Sequence, residues 1–222
     1  MPPKKTKNSK PSKQPYLKGK NALQLCIFVG ANVAVFLALL VSNEFSATAV
    51  DQSWRQLTAK DGLLAAIMPV LAIVLGGVLS DTWKARLVFW RWRDPLPGCR
   101  VFSDLLATDY RVNKTALADK LGEYPREADK QNALWFTLYK KHGGVLIVLE
   151  SHKTYLLTRD MASISALFAI LFPLAVFATY PKSEVAAIYA AALLFQYVLI
   201  AISARNYGNR FVLNVLVEES HA

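Results

Sequence analysis

The sequence predicts an all-α membrane protein with four transmembrane helices, arranged as two hairpins around a mainly helical cytosolic insert. Three observations predict it. Hydrophobic residues make up 54% of the 222, while charged residues are only 19%, against roughly 25% in soluble domains. Four separate stretches carry no charge over the ~20 residues that a helix needs to cross a bilayer. The net charge of +10 comes from the segments before, between and after those stretches, so basic and apolar mass occupy different parts of the chain. The same totals exclude a wholly disordered chain, which would lack apolar residues. Ten Gly, ten Pro and two Cys exclude collagen-like and disulfide-scaffold readings.

Residues 1–21 hold Lys4, Lys5, Lys7, Lys10, Lys13, Lys18 and Lys20 with no acidic residue. Pro, Ser and Asn between the lysines leave nothing to form a core, so this segment reads as a disordered basic cytosolic arm. The apolar stretch 22–41 is longer than the ~7–15 residues of a signal-peptide core. It therefore reads as a first span, 22–42, and the small residues near Ala47 and Ala49 are the one sign of a cleaved leader. A second span, 62–80, completes hairpin 1 over 22–80. Spans three and four, 161–180 and 185–204, form hairpin 2 over 161–204. Only Pro181, Lys182, Ser183 and Glu184 separate them, too few residues for any arrangement but an antiparallel pair. Residues 205–222 are a tail.

Alternate water-facing pieces carry 23 and 3 basic residues. The positive-inside rule then places both termini and the 81–160 insert in the cytoplasm. At 80 residues the insert is marginal as an independent fold. Asn113 or Thr115 can cap a helix ending at Pro125, and Arg126–His142 forms a second helix that stops at Gly143–Gly144. VLIVLESHKTYLL reads as a strand or, preferably, as a helix leading into the third span.

The most distinctive stretch is 83–98, WKARLVFWRWRDPLPG. Trp83, Trp90 and Trp92 have the amphipathic rings that settle among lipid carbonyls, while Lys84, Arg86, Arg91 and Arg93 have the reach for lipid phosphates. The segment is thus a membrane-interface element, serving as a plain anchor or as a coupling element between insert and spans. The basic arm has three readings: topology signal, anionic-lipid contact, or nucleic-acid contact. The first is favoured, because Tyr16 is its only aromatic residue and single-strand binders interleave several.

Inside the spans, small residues recur four apart: Gly30, Ala34 and Ala38; Ala72, Gly76 and Ser80; Ala187 and Ala191. Such spacing favours close helix packing. Asn32 is costly unless it faces another helix or a wet cavity. Gln24 and Gln196 are further amides within the spans, and Pro69 with the Gly76–Gly77 pair is placed to bend the second span. Gly30, Asn32, Pro69, Gly76, Gly77 and Gln196 are accordingly the candidate packing or pore positions. No Asp, Glu, Lys, Arg or His lies inside any predicted span, which argues against a proton relay or ion-coupled transport.

Enzyme chemistry has little support. His142, His152 and His221 stand in no HExxH-like spacing, and no CxxC, GxSxG or P-loop occurs. Cys26 and Cys99 fall on opposite sides of a redox boundary and cannot pair. No catalytic, cofactor or metal site is expected.

The Lys-rich MPPKKTKNSKPSKQP arm, the RLVFWRWRDPLPGCR juncture and the C-terminal hairpin 161–204 together resemble the transmembrane effectors of bacterial retron anti-phage defence systems. The resemblance covers the chain as architecture. It implies an inner-membrane effector held silent by a reverse transcriptase and its RNA–DNA product. Released on infection, it would oligomerise, disrupt the membrane and arrest growth. Two other classes stay open: a membrane scaffold anchoring a cytosolic partner through 81–160, and an enzyme acting on lipid.

Overall fold

A computed structural model of the chain describes residues 21–42, 48, 51–52, 55, 62–180 and 184–222. The seven-lysine arm, most of the 43–61 loop and the 181–183 link lie outside the described residues. The elements are α1 (Ala22–Ser42), α2 (Gly62–Val78), α3 (Asp81–Phe89), α4 (Lys114–Leu121), α5 (Ala128–His142), α6 (Leu146–Thr179) and α7 (Glu184–His221). Three short turns, Pro97–Arg100, Val101–Leu105 and Leu106–Thr108, connect α3 to α4. No strand occurs among the described residues.

Local chemistry sets the boundaries. The Ser80 hydroxyl accepts from the Trp83 amide and caps α3, which ends where Trp90 turns left-handed at φ 52°. Asn113, one of the two expected caps, accepts from the Ala116 amide and starts α4; Gly122 at φ +69° ends it. With ψ at −145° this lies outside the αL well that Trp90 occupies and is strained for any residue with a Cβ, so glycine is required there. α5 ends at Gly143, as its sequence suggests. The VLIVLES stretch is helical and does not stop before the apolar segment: Leu146–Thr179 is one helix of 34 residues. α7 has 38 residues and includes the stretch expected as a tail.

Among the described residues three helices are long and apolar enough to cross a membrane: α1 over Ala22–Leu40, α6 and α7. At 1.5 Å per residue α6 and α7 reach about 51 and 57 Å, against ~30 Å for a hydrocarbon core. Each therefore continues some 20 Å beyond a bilayer that contains its apolar part. α6 also carries Pro173, whose ring removes one backbone hydrogen bond, a defect that membrane helices tolerate where neighbours pack against it; Pro173 is buried.

Named contacts give the directions. Asn21 donates to the Lys153 carbonyl, Phe36 stacks on Phe172, and the Tyr180 hydroxyl donates to the Leu40 carbonyl. α1 and α6 thus run the same way. Gln196 meets Ser165 while Phe211 meets Tyr155, so α7 runs opposite to both. The start of α1, the start of α6 and the end of α7 share one end of the molecule.

Two hydrophobic cores follow one another along α6 and α7. One holds Val29, Leu39, Ala72, Ile164, Phe168, Val176 and Leu193 from α1, α2, α6 and α7. The other joins α3, α4, α5 and the connecting turns to the far parts of α6 and α7 through Val88, Phe102, Leu117, Trp135, Val148 and Leu216. The first is wrapped in exposed apolar side chains, among them Ile27, Ile73, Ile170, Leu174, Leu194 and Phe195. In water that surface would cost about 25 cal/mol per Å²; in lipid it costs nothing.

Candidate membrane-interface site

α3 belongs to the second core through Ala85, Val88 and Phe89. Residues 83, 86, 87 and 90 fall at i, i+3, i+4 and i+7, one face of a helix, while Lys84, Ala85, Val88 and Phe89 form the buried face. At its start Asp81 and Lys84 reach α6: Arg159 Nη1 lies 3.2 Å from Asp81 Oδ1, and Lys84 Nζ 2.8 Å from Asp160 Oδ1. At its end it meets α7. The Trp90 indole donates to the Tyr197 hydroxyl at 3.1 Å, and that hydroxyl donates to the Leu87 carbonyl at 2.8 Å. Arg205 donates through Nε and Nη2 to the Val88 carbonyl and lies 4.2 Å from the Trp90 ring centroid.

The outer face forms a cage. Trp83, Arg86, Leu87, Trp90, Arg91, Trp92 and Tyr197 line a cavity of about 240 Å³. The Arg86 guanidinium sits 4.8 Å from the Trp83 ring and 5.7 Å from that of Trp92, and its Nε donates to the Trp92 carbonyl at 3.2 Å. The two indoles meet edge to face at 5.7 Å. Arg91 has Asp104 at 4.0 Å, with both side chains about half exposed, which is worth little in solvent.

Five of the seven residues expected at a membrane interface therefore share one cavity. Lys84 does not. Its side chain is 3% exposed and paired with Asp160, because a step of one residue from Trp83 turns the helix by about 100°. Arg93 is exposed and lies outside the cavity lining. Tyr197, Arg205 and Asp160, which complete the arrangement, lie on α6 and α7, too far along the chain for sequence proximity to connect them to α3.

Within the apolar core, Asn32 pairs as expected with another helix. Gln196 Nε2 donates to Asn32 Oδ1 at 3.1 Å and to Ser165 Oγ at 3.2 Å, and Asn32 donates to the Phe28 carbonyl. These bonds join α1, α6 and α7. Gly30, Ala34 and Ala38 are buried, so the small-residue row of α1 packs inside the chain. Gly76 and Gly77 border open space, with nothing within 4 Å of a Cβ at either position, and Ala187 and Ala191 are exposed. Pro69 lies within α2. The tight glycine is Gly208, absent from the sequence reading: a Cβ there would stand 2.8 Å from Phe89 and 2.9 Å from Tyr155.

The second core contains a cavity of about 430 Å³ walled by Trp135, Tyr139, His152, Tyr155 and Phe211 among others. Tyr139 OH and His152 Nδ1 share a hydrogen bond at 3.0 Å. The other histidines are engaged too: His142 Nε2 with Glu219, His221 Nε2 with the Arg111 carbonyl. Burial, with Asp94 nearby, raises the Cys99 thiol pKa, the opposite of what a thiolate nucleophile needs. No group of three or more His, Cys, Asp or Glu residues placed to hold a metal occurs among the described residues.

No protein family, curated protein or solved structure matches the chain.

Proposed function

We propose that the chain is a multi-pass inner-membrane effector in which the basic, water-facing module controls the membrane helices through α6 and α7. The observation that carries this reading is continuity. The same two helices supply the apolar core and the module core, with no loop between, so a displacement of the module is transmitted to the membrane segment as a rigid-body movement. The Lys84, Asp160, Arg159 and Asp81 cluster sits at the boundary, where a buried ion network favours one arrangement over alternatives.

In this reading α2 is a fourth span, pairing with α1 as the first hairpin. Its 17 residues give about 25 Å, enough with slight thinning of the bilayer. The start of α1, the module and the end of α7 all face the cytoplasm, in accord with the 23-to-3 distribution of basic residues. The resemblance to retron effectors supplies the biological role: anti-phage defence, with release by a reverse transcriptase and its RNA–DNA product, homo-oligomerisation, loss of membrane integrity and growth arrest. Expression of the full chain from a tightly regulated promoter, with a membrane-potential dye and growth as readouts, tests it. Depolarisation and arrest are expected. Full potential and normal growth at high expression, with and without phage, would sink the proposal.

A second reading, a scaffold that anchors a cytosolic partner, draws on one patch. Val145, Leu146 and Ile147 are 36%, 70% and 41% exposed, at the start of α6. Leu146 is fourteen residues, or about 21 Å along the helix, from Asp160 and hence far from lipid. Stoichiometric co-purification of one protein without depolarisation would select this reading over the first.

A further inference from the structure

The cage on α3 is built for more than anchorage. Arg86 has its guanidinium carbon 4.8 and 5.7 Å from the Trp83 and Trp92 ring centroids and its Nε committed to the Trp92 carbonyl. What remains is the edge formed by its two terminal nitrogens, which make no hydrogen bond among the described residues. A guanidinium anchored through Nε presents the two donors of its far edge side by side, the arrangement that binds a phosphate bidentately. Arg91 lines the same cavity, with its nearest carboxylate, Asp104, 4.0 Å away. No Asp or Glu is among the lining residues, so the cavity carries two cations without an internal counter-ion.

The surroundings distinguish a lipid from a free anion. Trp83, Trp90 and Trp92 are 45%, 49% and 72% exposed, a costly arrangement in water and a favourable one among headgroups. Tyr197, the wall contributed by α7, lies between Phe195 and Leu199, which are 65% and 50% exposed. Acyl chains that follow this apolar surface bring their phosphodiester to the cage.

We propose that this cage binds the phosphodiester of an anionic glycerophospholipid from the adjoining leaflet, with the Arg86 edge and Arg91 as donors and the three indoles enclosing the glycerol. Arg205 is a positioning residue: it holds the Trp90 ring and the Val88 carbonyl and does not line the cavity. Choline headgroups bring their own cation against two guanidinia, so the site selects phosphatidylglycerol over phosphatidylcholine. The assignment is independent of whether the protein permeabilises the membrane.

The test uses the full chain, purified in detergent, delipidated and titrated with phosphatidylglycerol or phosphatidylcholine of identical acyl chains, with adducts counted by native mass spectrometry. One phosphatidylglycerol should be retained with about tenfold preference, because both lipids offer the phosphodiester and only choline sets a cation against Arg86 and Arg91. Arg86→Gln should weaken retention of both lipids and reduce that preference, Arg86→Lys should leave most of the preference, and Arg93→Gln, outside the cage, should leave it intact. A readout on the unaltered protein guards against misfolded variants: brominated phosphatidylglycerol should quench indole fluorescence more than brominated phosphatidylcholine. Equal retention and equal quenching by the two lipids would overturn the proposal. So would an Arg86→Gln variant with native helicity and undiminished preference. Excess inorganic phosphate should leave the lipid adduct in place; its displacement would reassign the site to a free anion and overturn the lipid assignment.

Discussion

Lys84 and Asp160 meet at 2.8 Å with their side chains 3% and 11% exposed, and their contact ties α3 to α6 where the two cores adjoin. Removing Lys84 leaves Asp160 in a nearly dry site with Arg159 as its remaining cation. Lys84→Met should cost less than the ~3–5 kcal/mol of breaking an isolated buried pair, and adding Asp160→Leu should recover part of the loss. Thermal unfolding in detergent, followed by near-ultraviolet circular dichroism, checks both. Arg159, which bonds Asp160 and Asp81, sets how much the double variant recovers.

Two glycine substitutions should separate in sign of effect. Gly208→Ala drives a methyl group into the Phe89 and Tyr155 rings and should destabilise by about 1–3 kcal/mol. Gly76→Ala meets nothing and replaces a poor helix former by a good one, worth up to ~1 kcal/mol. Melting temperatures of the two variants, measured side by side, decide it.

The amide cluster predicts coupling. Gln196→Leu removes two donated hydrogen bonds, and values for such bonds between membrane helices run from about 0.6 to 2 kcal/mol. Asn32→Leu and Gln196→Leu combined should cost less than the sum of the single changes, because the shared bond is lost once. A double-mutant cycle on unfolding free energy measures the interaction.

Asp109 predicts an acid limb. The Arg111 side chain donates to it at 2.6–3.2 Å, and that hydrogen bonding, chiefly, holds the carboxyl pKa below its usual value. A carboxyl lowered on folding stabilises above its unfolded pKa, about 3.9, and the contribution fades as pH falls through the folded value. Wild type should therefore exceed Asp109→Asn in stability at neutral pH, and the two should converge below about pH 4. Denaturant titrations at a series of pH values provide the comparison.

What was legible in the sequence followed from local signals. α1 is uncharged end to end, Asn32 is costly in lipid unless paired, and Asn113 and Gly143 punctuate helices by their own chemistry; each appears where those properties put it. The lengths of α6 and α7 were not legible in that way. Charge and polarity after Ala204 and before Met161 mark the end of an apolar surface, and a helix can continue past that end when new partners bury its other faces, as Phe211, Val212 and Leu216 are buried by the module. Lys84 stands near Arg86 in the sequence, yet helical rotation puts the two on different faces of α3. Gly208 gave no sign, because the rings that crowd it come from residues 89 and 155.

Glu219 receives Lys141 and pairs with His142 across 77 residues of chain, and Ser220 and the Glu219 carbonyl bond to Asn113 and Lys120. The last turns of α7 are thus the clasp of a module whose other walls are made much earlier. At translation rates of about 5–20 residues per second, His142 leaves the ribosome's catalytic centre about 4–15 s before Glu219 is synthesised. During that interval α6 is made and α1 is already complete, while the second core still lacks the residues of α7 that close it. Synthesis order alone therefore makes closure of the second core a late step, completed only after the apolar stretches of α1 and α6 have been made.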